Sequence, residues 1–132
     1  WVSPWIIVSG YFNNGQMISV PYWLISICIF LFGVGVFLHF SSDMQKFISL
    51  KLKPGHLVTG GLFSKSRNIN YFGEFLIYIS FAFLSMHWIP FILLFIFIAA
   101  VWVPNMTRKE RSLSRYSDYK KYKENTRWFF PF

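Results

Sequence analysis

The sequence predicts an all-α integral membrane protein of about three transmembrane helices with a basic, amphipathic C-terminal tail. Two observations support this prediction. Of the 132 residues, 55% are hydrophobic and 23% are aromatic, which is more apolar than a soluble domain needs. The 13 basic and 5 acidic residues are also confined, because residues 1–42 and 75–107 contain none. Long uncharged stretches of this kind are typical of membrane-spanning segments.

The opening stretch WVSPWIIVS is apolar but too short to cross a hydrocarbon core of about 30 Å at about 1.5 Å per residue. It also lacks the basic start of a secretory signal. We expect it to be the end of a longer helix or an interfacial segment.

The first predicted span is residues 22–40, YWLISICIFLFGVGVFLHF, which carry no formal charge. Gly33 and Gly35 lie within it. They indicate helix packing, since a dinucleotide-binding loop would follow a strand and contain a third glycine at the right spacing.

The other two predicted spans are residues 71–86 and 90–104, joined by a turn around His87. Trp88 suits a membrane interface, and Pro90 suits the first turn of a new helix. Both spans are slightly short, which a locally thinner bilayer or burial in protein would accommodate.

The placement of charge predicts the orientation in the membrane. The polar loop 41–70 and the basic tail 105–132 lie on one side of the three predicted spans, whereas residues 10–21 on the other side carry no charge. The positive-inside rule therefore places the loop and the tail on the cytoplasmic or matrix-equivalent side. Nucleic acid is not expected as a partner, because the basic residues border spans instead of forming a separate domain.

The segment Gly60–Glu74, GGLFSKSRNINYFGE, has the features of an anion-binding helix start. Its glycines permit close backbone approach, a helix N-terminus attracts anions, and Arg67 can add a bidentate contact. Asn70 and Glu74 are four residues apart and share one helical face. A carboxylate inside a span is costly, so Glu74 is expected to face a polar site or to pair with Arg67 or a tail arginine.

Two further features have more than one interpretation. Asp43, just past the first predicted span, is either a ligand-binding carboxylate or a helix cap after Phe40. The tail interleaves arginines with tyrosines, so it can contact the phosphates and rings of a cofactor, or form an interfacial helix on anionic lipid headgroups. The aromatic end of the chain, residues 128–132, is expected to anchor in the headgroup region.

Several classes of site are excluded by the sequence. It contains no Ser/His/Asp set, no Cys/His spacing of a metal site and no GxxxxGK phosphate loop, so hydrolase, metalloenzyme and P-loop functions have no support. The single Cys28 cannot form an intrachain disulfide.

Three segments in order, SSDMQKF, GGLFSKSRNINYFGEFLIY and PNMTRKERSLSRYSDYKKYKENTRWFFP, resemble the C-terminal half of the steroid 5-alpha-reductase superfamily, most closely its uncharacterised reductase-like membrane branch. The resemblance implies a membrane enzyme that binds NADPH in a pocket open to the cytosol and reduces a carbon-carbon double bond conjugated to a ketone in a steroid or another lipid. It implies that Glu74 holds the nicotinamide end and that Arg67 and Arg115 contact phosphate. The full set of implied cofactor contacts is Asp43, Arg67, Asn70, Tyr71, Glu74, Arg111, Arg115 and Tyr122.

Two alternatives remain. Isoprenylcysteine carboxyl methyltransferases share the superfamily outline and bind S-adenosylmethionine, but they usually show Arg-His-Pro-x-Tyr where this chain has Arg67-Asn68-Ile69-Asn70-Tyr71. The second alternative is an accessory subunit of a larger membrane complex with no cofactor, because the N-terminal helices that polarise the substrate ketone in steroid reductases are absent from this sequence. The resemblance favours the endoplasmic reticulum, and the accessory subunit would equally suit the mitochondrial inner membrane.

Overall fold

A computed structural model describes residues 2–9 and 13–132, and within these ranges the protein is all-α. Trp1 and residues 10–12 of the predicted uncharged loop lie outside the described residues. A 3-10 turn precedes the third helix, and a π-helical turn, Ile98–Trp102, makes the fourth and fifth helices continuous. The helices are α1 (Val2–Ser9), α2 (Tyr22–Leu52), α3 (Ile69–Leu84), α4 (Ile89–Phe97), α5 (Val103–Leu113) and α6 (Tyr119–Asn125). The predicted fold class is confirmed.

Two helices are long and apolar enough to cross a membrane, judged by length and composition. They are α2 and the continuous helix Ile89–Leu113. The third apolar helix, α3, has 16 residues, fewer than the about 20 that a span usually needs. It occupies the region of the predicted span 71–86, and its crossing of the membrane stays a prediction.

The first long helix extends well into the predicted polar loop. α2 begins after Pro21 and ends at Leu52 instead of near residue 40. The reason is local, since no glycine or proline occurs after the apolar part until Pro54 and Gly55. Asp43 therefore lies inside a helix, and the predicted cap after Phe40 is wrong.

The turn between α3 and α4 lies where the sequence predicts it. Met86 adopts a positive φ of 46°, and the buried Ser85 hydroxyl donates a hydrogen bond to the Ala82 carbonyl at 2.6 Å. Pro90 then occupies the first turn of α4, where its missing N–H costs nothing. The chain thereby turns between the two helices, and α4 packs against α3.

Glycine allows α2 and α3 to pack closely. A Cβ at Gly35 would lie 2.7 Å from the Gly73 carbonyl oxygen, whereas a Cβ at Gly33 would have no neighbour within 4 Å. The predicted packing role is therefore confirmed for Gly35 and is wrong for Gly33. Other faces of α2 expose large apolar side chains, Phe30, Phe37 and Phe40 among them, as a helix in contact with lipid would.

Candidate functional site

A basic cavity lies at the polar end of the helices. Its volume is about 260 Å³, and the residues that line it come from the end of α2, the loop before α3, α5 and the segment up to α6. Within the described chain no carboxylate lines it. Its polar lining is Lys46, His56, Arg67, Lys109, Ser112, Arg115, Tyr116 and Tyr122. We call this space the basic cavity.

Arg67 is the most buried charged group of the basic cavity, at 6% exposure. Its Nε donates to Glu110 Oε1 at 2.6 Å, and its Nη1 donates to the carbonyl oxygens of Thr126 at 2.6 Å and Lys123 at 3.1 Å. These bonds join α5, α6 and the loop before α3. The predicted pairing of Arg67 with Glu74 is wrong, because Glu110 takes that position.

Lys109 contributes a second cation, which is half-buried. Its ammonium donates to the Arg67 carbonyl oxygen at 2.7 Å and to Asn68 Oδ1 at 3.1 Å, and lies over the ring of Phe63. Burial and, after it, the positive charge of Lys46 together lower the pKa of Lys109 to about 8. An anion in the basic cavity would relieve this repulsion between like charges.

Two other cations of the basic cavity remain open to solvent. Lys46, on α2, and Arg115, after α5, are both exposed. The Arg115 guanidinium lies 5.3 Å from the centre of the Tyr116 ring, so a planar cation and an aromatic face are presented side by side. Lys46 and Arg115 are therefore the side chains most available to a ligand.

The C-terminal tail forms part of this site. Tyr122 is buried, and its hydroxyl donates to the Phe63 carbonyl oxygen at 2.8 Å. Burial raises the pKa of Tyr122 to about 12, so the phenol is neutral at physiological pH. Further along, Ser66 Oγ donates to the Phe129 carbonyl at 2.8 Å, and Asn68 Nδ2 to that of Trp128 at 2.9 Å.

The start of α3 is closed by the same contacts. Residues 66–69 are buried, and the backbone of Arg67 and Arg127 pairs at 2.9 Å. The anion contact predicted at this helix start is therefore not open at the surface. Arg67 also lines the basic cavity.

The remaining predicted site residues do not line the basic cavity. Glu74 accepts a hydrogen bond from the Tyr78 hydroxyl at 3.1 Å, and the Tyr71 ring packs edge-on against Trp102. Asn70 is partly buried, and its Oδ1 is enclosed without a hydrogen-bond donor among the described residues. An enclosed acceptor of this kind is unusual and calls for a donor from a ligand or a water molecule.

Asp43 and Arg111 lie at the margin. Asp43 Oδ2 is 4.0 Å from His39 Nε2 on the same helix, and its charge is close enough to raise the pKa of Lys109 in opposition to Lys46. Arg111 is exposed on α5 and does not line the basic cavity. The structure thus brings together Arg67, Arg115 and Tyr122 from the predicted set.

Sequence reasoning missed Lys46, His56 and Lys109. For Lys109 a signal exists, since Trp102, Met106, Lys109 and Leu113 follow the 3-4 spacing of one helix face. Trp102 and Met106 are almost fully buried. A lysine in phase with them is directed inward, unlike its neighbours Arg108 and Arg111.

A family model described as "Protein of unknown function (DUF1295)" matches residues 2–126, which include all six helices. No curated protein matches the chain. The matched region contains every residue that lines the basic cavity.

Proposed function

The chain belongs to the DUF1295 family, and we propose that it is a membrane-embedded reductase that binds NADPH and reduces the conjugated double bond of a steroid or another lipid enone. The observation that carries the proposal is the basic cavity, where Lys46, Lys109 and Arg115 converge without a lining carboxylate. Such a site suits the phosphates of a dinucleotide. Its volume of about 260 Å³ suits the phosphate portion of the cofactor instead of the whole molecule.

The nicotinamide end would be held by Asn70 and Glu74, which follow the closed segment 66–69 and are both partly exposed. A carboxamide offers two N–H donors, and the enclosed Asn70 Oδ1 lacks a donor. Glu74, one helical turn further on, supplies a carboxylate acceptor. Bound there, NADPH supplies the hydride, and this chain supplies orientation and a water-poor setting.

The lipid substrate would approach from the apolar side. A cavity of about 480 Å³ between α1, α3 and α4 is lined by apolar side chains together with Ser3 and Tyr78. The Tyr78 hydroxyl, which donates to Glu74, is a polar group between this cavity and the predicted nicotinamide position. A polar group at the end of an apolar cavity orients a ketone that enters with it.

The basic cavity argues against S-adenosylmethionine as the cofactor. That cofactor has no phosphate and carries a positive sulfonium, which a cluster of Lys46, Lys109 and Arg115 would repel.

The accessory subunit remains the second candidate. It is favoured by Arg67, whose guanidinium is bonded to the protein at three residues and so has a structural role without any ligand.

Titration of the purified protein in mild detergent tests the proposal. NADPH should bind saturably, and the double variant Lys46→Gln/Arg115→Gln should weaken binding at least tenfold, since each cation lost removes on the order of 1 kcal/mol. Arg108→Gln is the matched control, because Arg108 is an exposed arginine of α5 that does not line the basic cavity.

Three results would contradict the proposal. NADPH fails to bind, the double variant binds as tightly as the wild type, or S-adenosylmethionine binds in its place. Absence of both nucleotides, with other membrane proteins retained stoichiometrically during purification, would identify an accessory subunit.

A further inference from the structure

A second binding site lies between the C-terminal aromatic segment and the continuous helix Ile89–Leu113. It is a groove of about 710 Å³ with a floor of Phe95, Ile98, Val103 and Met106. Phe75 and the aromatic residues of 128–132 form its walls, and Arg127 is the only charged residue that lines it among those described. We call this space the tail groove.

The position of Arg127 gives the tail groove a polar end. Its backbone is fixed, because Arg127 N donates to the Lys65 carbonyl oxygen at 3.0 Å and its carbonyl accepts from Arg67 N at 2.9 Å. Its side chain is exposed, and no acidic partner for it occurs in residues 2–9 and 13–132. An arginine with a fixed backbone, and with no acidic partner for its exposed side chain in the described residues, is thus placed beside apolar surface.

The floor of the tail groove descends from this charge into the apolar part of the helix. From Met106 to Phe95 the distance along the helix is about 16 Å at about 1.5 Å per residue. One leaflet of hydrocarbon is about 15 Å deep. The groove therefore has the length of one acyl chain, and its cation lies on the side that the distribution of charge assigns to the cytoplasm or matrix.

We propose that the tail groove binds one acyl chain of an anionic phospholipid, whose headgroup phosphate pairs with Arg127. Charge complementarity selects an anionic over a zwitterionic lipid. Ile98, in the floor, is the first residue of the π-helical turn Ile98–Trp102. Trp102, its last residue, packs against the rings of Tyr71 and Tyr78. This site does not depend on NADPH binding.

The test uses the purified chain in detergent, with phosphatidylglycerol and phosphatidylcholine of identical acyl chains, and native mass spectrometry to measure the retained lipid. The wild type should retain phosphatidylglycerol preferentially. Arg127→Gln should reduce that preference about fivefold, the change expected for one cation near a headgroup. Arg108→Gln is the control, because Arg108 is an exposed arginine of the same membrane side that does not line the groove.

A second pair of variants tests the apolar floor. Val103→Trp should fill the groove and reduce retention of both lipids, whereas Val101→Trp, at an exposed position outside it, should leave retention unchanged. Equal losses for Arg127→Gln and Arg108→Gln, or for the two tryptophan variants, would overturn the proposal.

A measurement on the unmodified chain covers the case in which a variant fails to fold. A phosphatidylglycerol with a photoreactive group on its acyl chain should crosslink mainly to peptides that contain 95–106 and 127–132. Crosslinks spread evenly over the exposed apolar face of α2 would show ordinary surrounding lipid and would refute a defined site.

Discussion

Gly35 and Gly73 are in backbone contact, so neither position has space for a side chain. A Cβ on Gly73 would lie 2.5 Å from the His39 nitrogen and 2.8 Å from the Gly35 carbonyl oxygen. Both obstacles are backbone atoms of a helix and cannot rotate away. The positions of α2 and α3, and hence of Lys46 relative to Arg67, depend on this contact.

Gly73→Ala should therefore destabilise the protein by about 1–3 kcal/mol, the usual cost of forcing extra atoms into a packed contact. Gly33→Ala, on the same helix as Gly35 but with open space around it, should be neutral or stabilising by up to about 1 kcal/mol, because alanine favours helix. Thermal unfolding in detergent measures both. Equal shifts in Tm for the two variants would show that the glycine contact does not matter.

Removal of the Arg67 side chain should be among the most damaging substitutions on the polar side. Arg67→Met leaves Glu110 without its partner and two carbonyl groups without a donor, a loss of about 3–5 kcal/mol. Lys65→Met, at an exposed lysine two residues earlier, should change the free energy of unfolding by less than about 0.5 kcal/mol. Denaturant titration compares them, and similar losses would contradict the structural role given to Arg67.

Lys109 should make stability depend on pH at the alkaline end. Its pKa is lowered from 10.5 to about 8 in the folded protein. Between these values the unfolded chain binds more protons than the folded one, so stability should rise as the pH increases from about 8 to 10.5. Below pH 8 the lysine is charged in both states, and the cost of burying that charge is fully present.

The measurement is the free energy of unfolding at pH 7.5 and pH 10 for the wild type and Lys109→Met. The difference between the two proteins should shift in favour of the wild type at the higher pH. Methionine fills similar space but does not titrate. Comparing the two proteins therefore cancels the contribution of every other ionisable group to the pH dependence of stability. A difference that is independent of pH would mean that Lys109 has an ordinary pKa.

Substitution of Asn68 should lower stability, whereas substitution of Asn70 should lower NADPH affinity. Asn68→Ala removes bonds to the Trp128 carbonyl and to Lys109, so stability should fall by about 1–3 kcal/mol. Asn70→Ala removes an enclosed acceptor that lacks a donor, so the stability of the ligand-free protein should change little, whereas NADPH affinity should fall about tenfold. Unfolding and ligand titration of both variants separate these effects, and unchanged NADPH affinity in Asn70→Ala would remove Asn70 from the site.

The fold could be predicted to the extent that it depends on local sequence. Uncharged runs locate the apolar helices, and Pro90 marks the turn between two of them. The end of α2 cannot be predicted from hydropathy, which falls at residue 41, because the helix continues until backbone geometry ends it near Pro54. The residue at which the apolar segment ends therefore need not be the residue at which the helix ends.

The candidate site could be predicted only in part, because its bonds join distant segments. The sequence draws attention to Arg67, but its partner Glu110 is 43 residues away, and nothing local favours Glu110 over Glu74. The unpaired acceptor of Asn70 is likewise a property of the assembled structure. The inward direction of Lys109 can be predicted from helical periodicity, because Lys109 lies on the same helix face as Met106.

The attachment of the tail to the start of α3 has a consequence for biosynthesis. Chains emerge from the ribosome N-terminus first, so Arg67 is synthesised long before Glu110 and Thr126, which hold its guanidinium. During that interval the arginine must remain hydrated, outside the hydrocarbon, and the wall of the basic cavity does not exist. Synthesis arrested before Thr126 would thus yield a chain whose apolar helices can insert while its polar end stays open, a state that a quality-control protease could recognise.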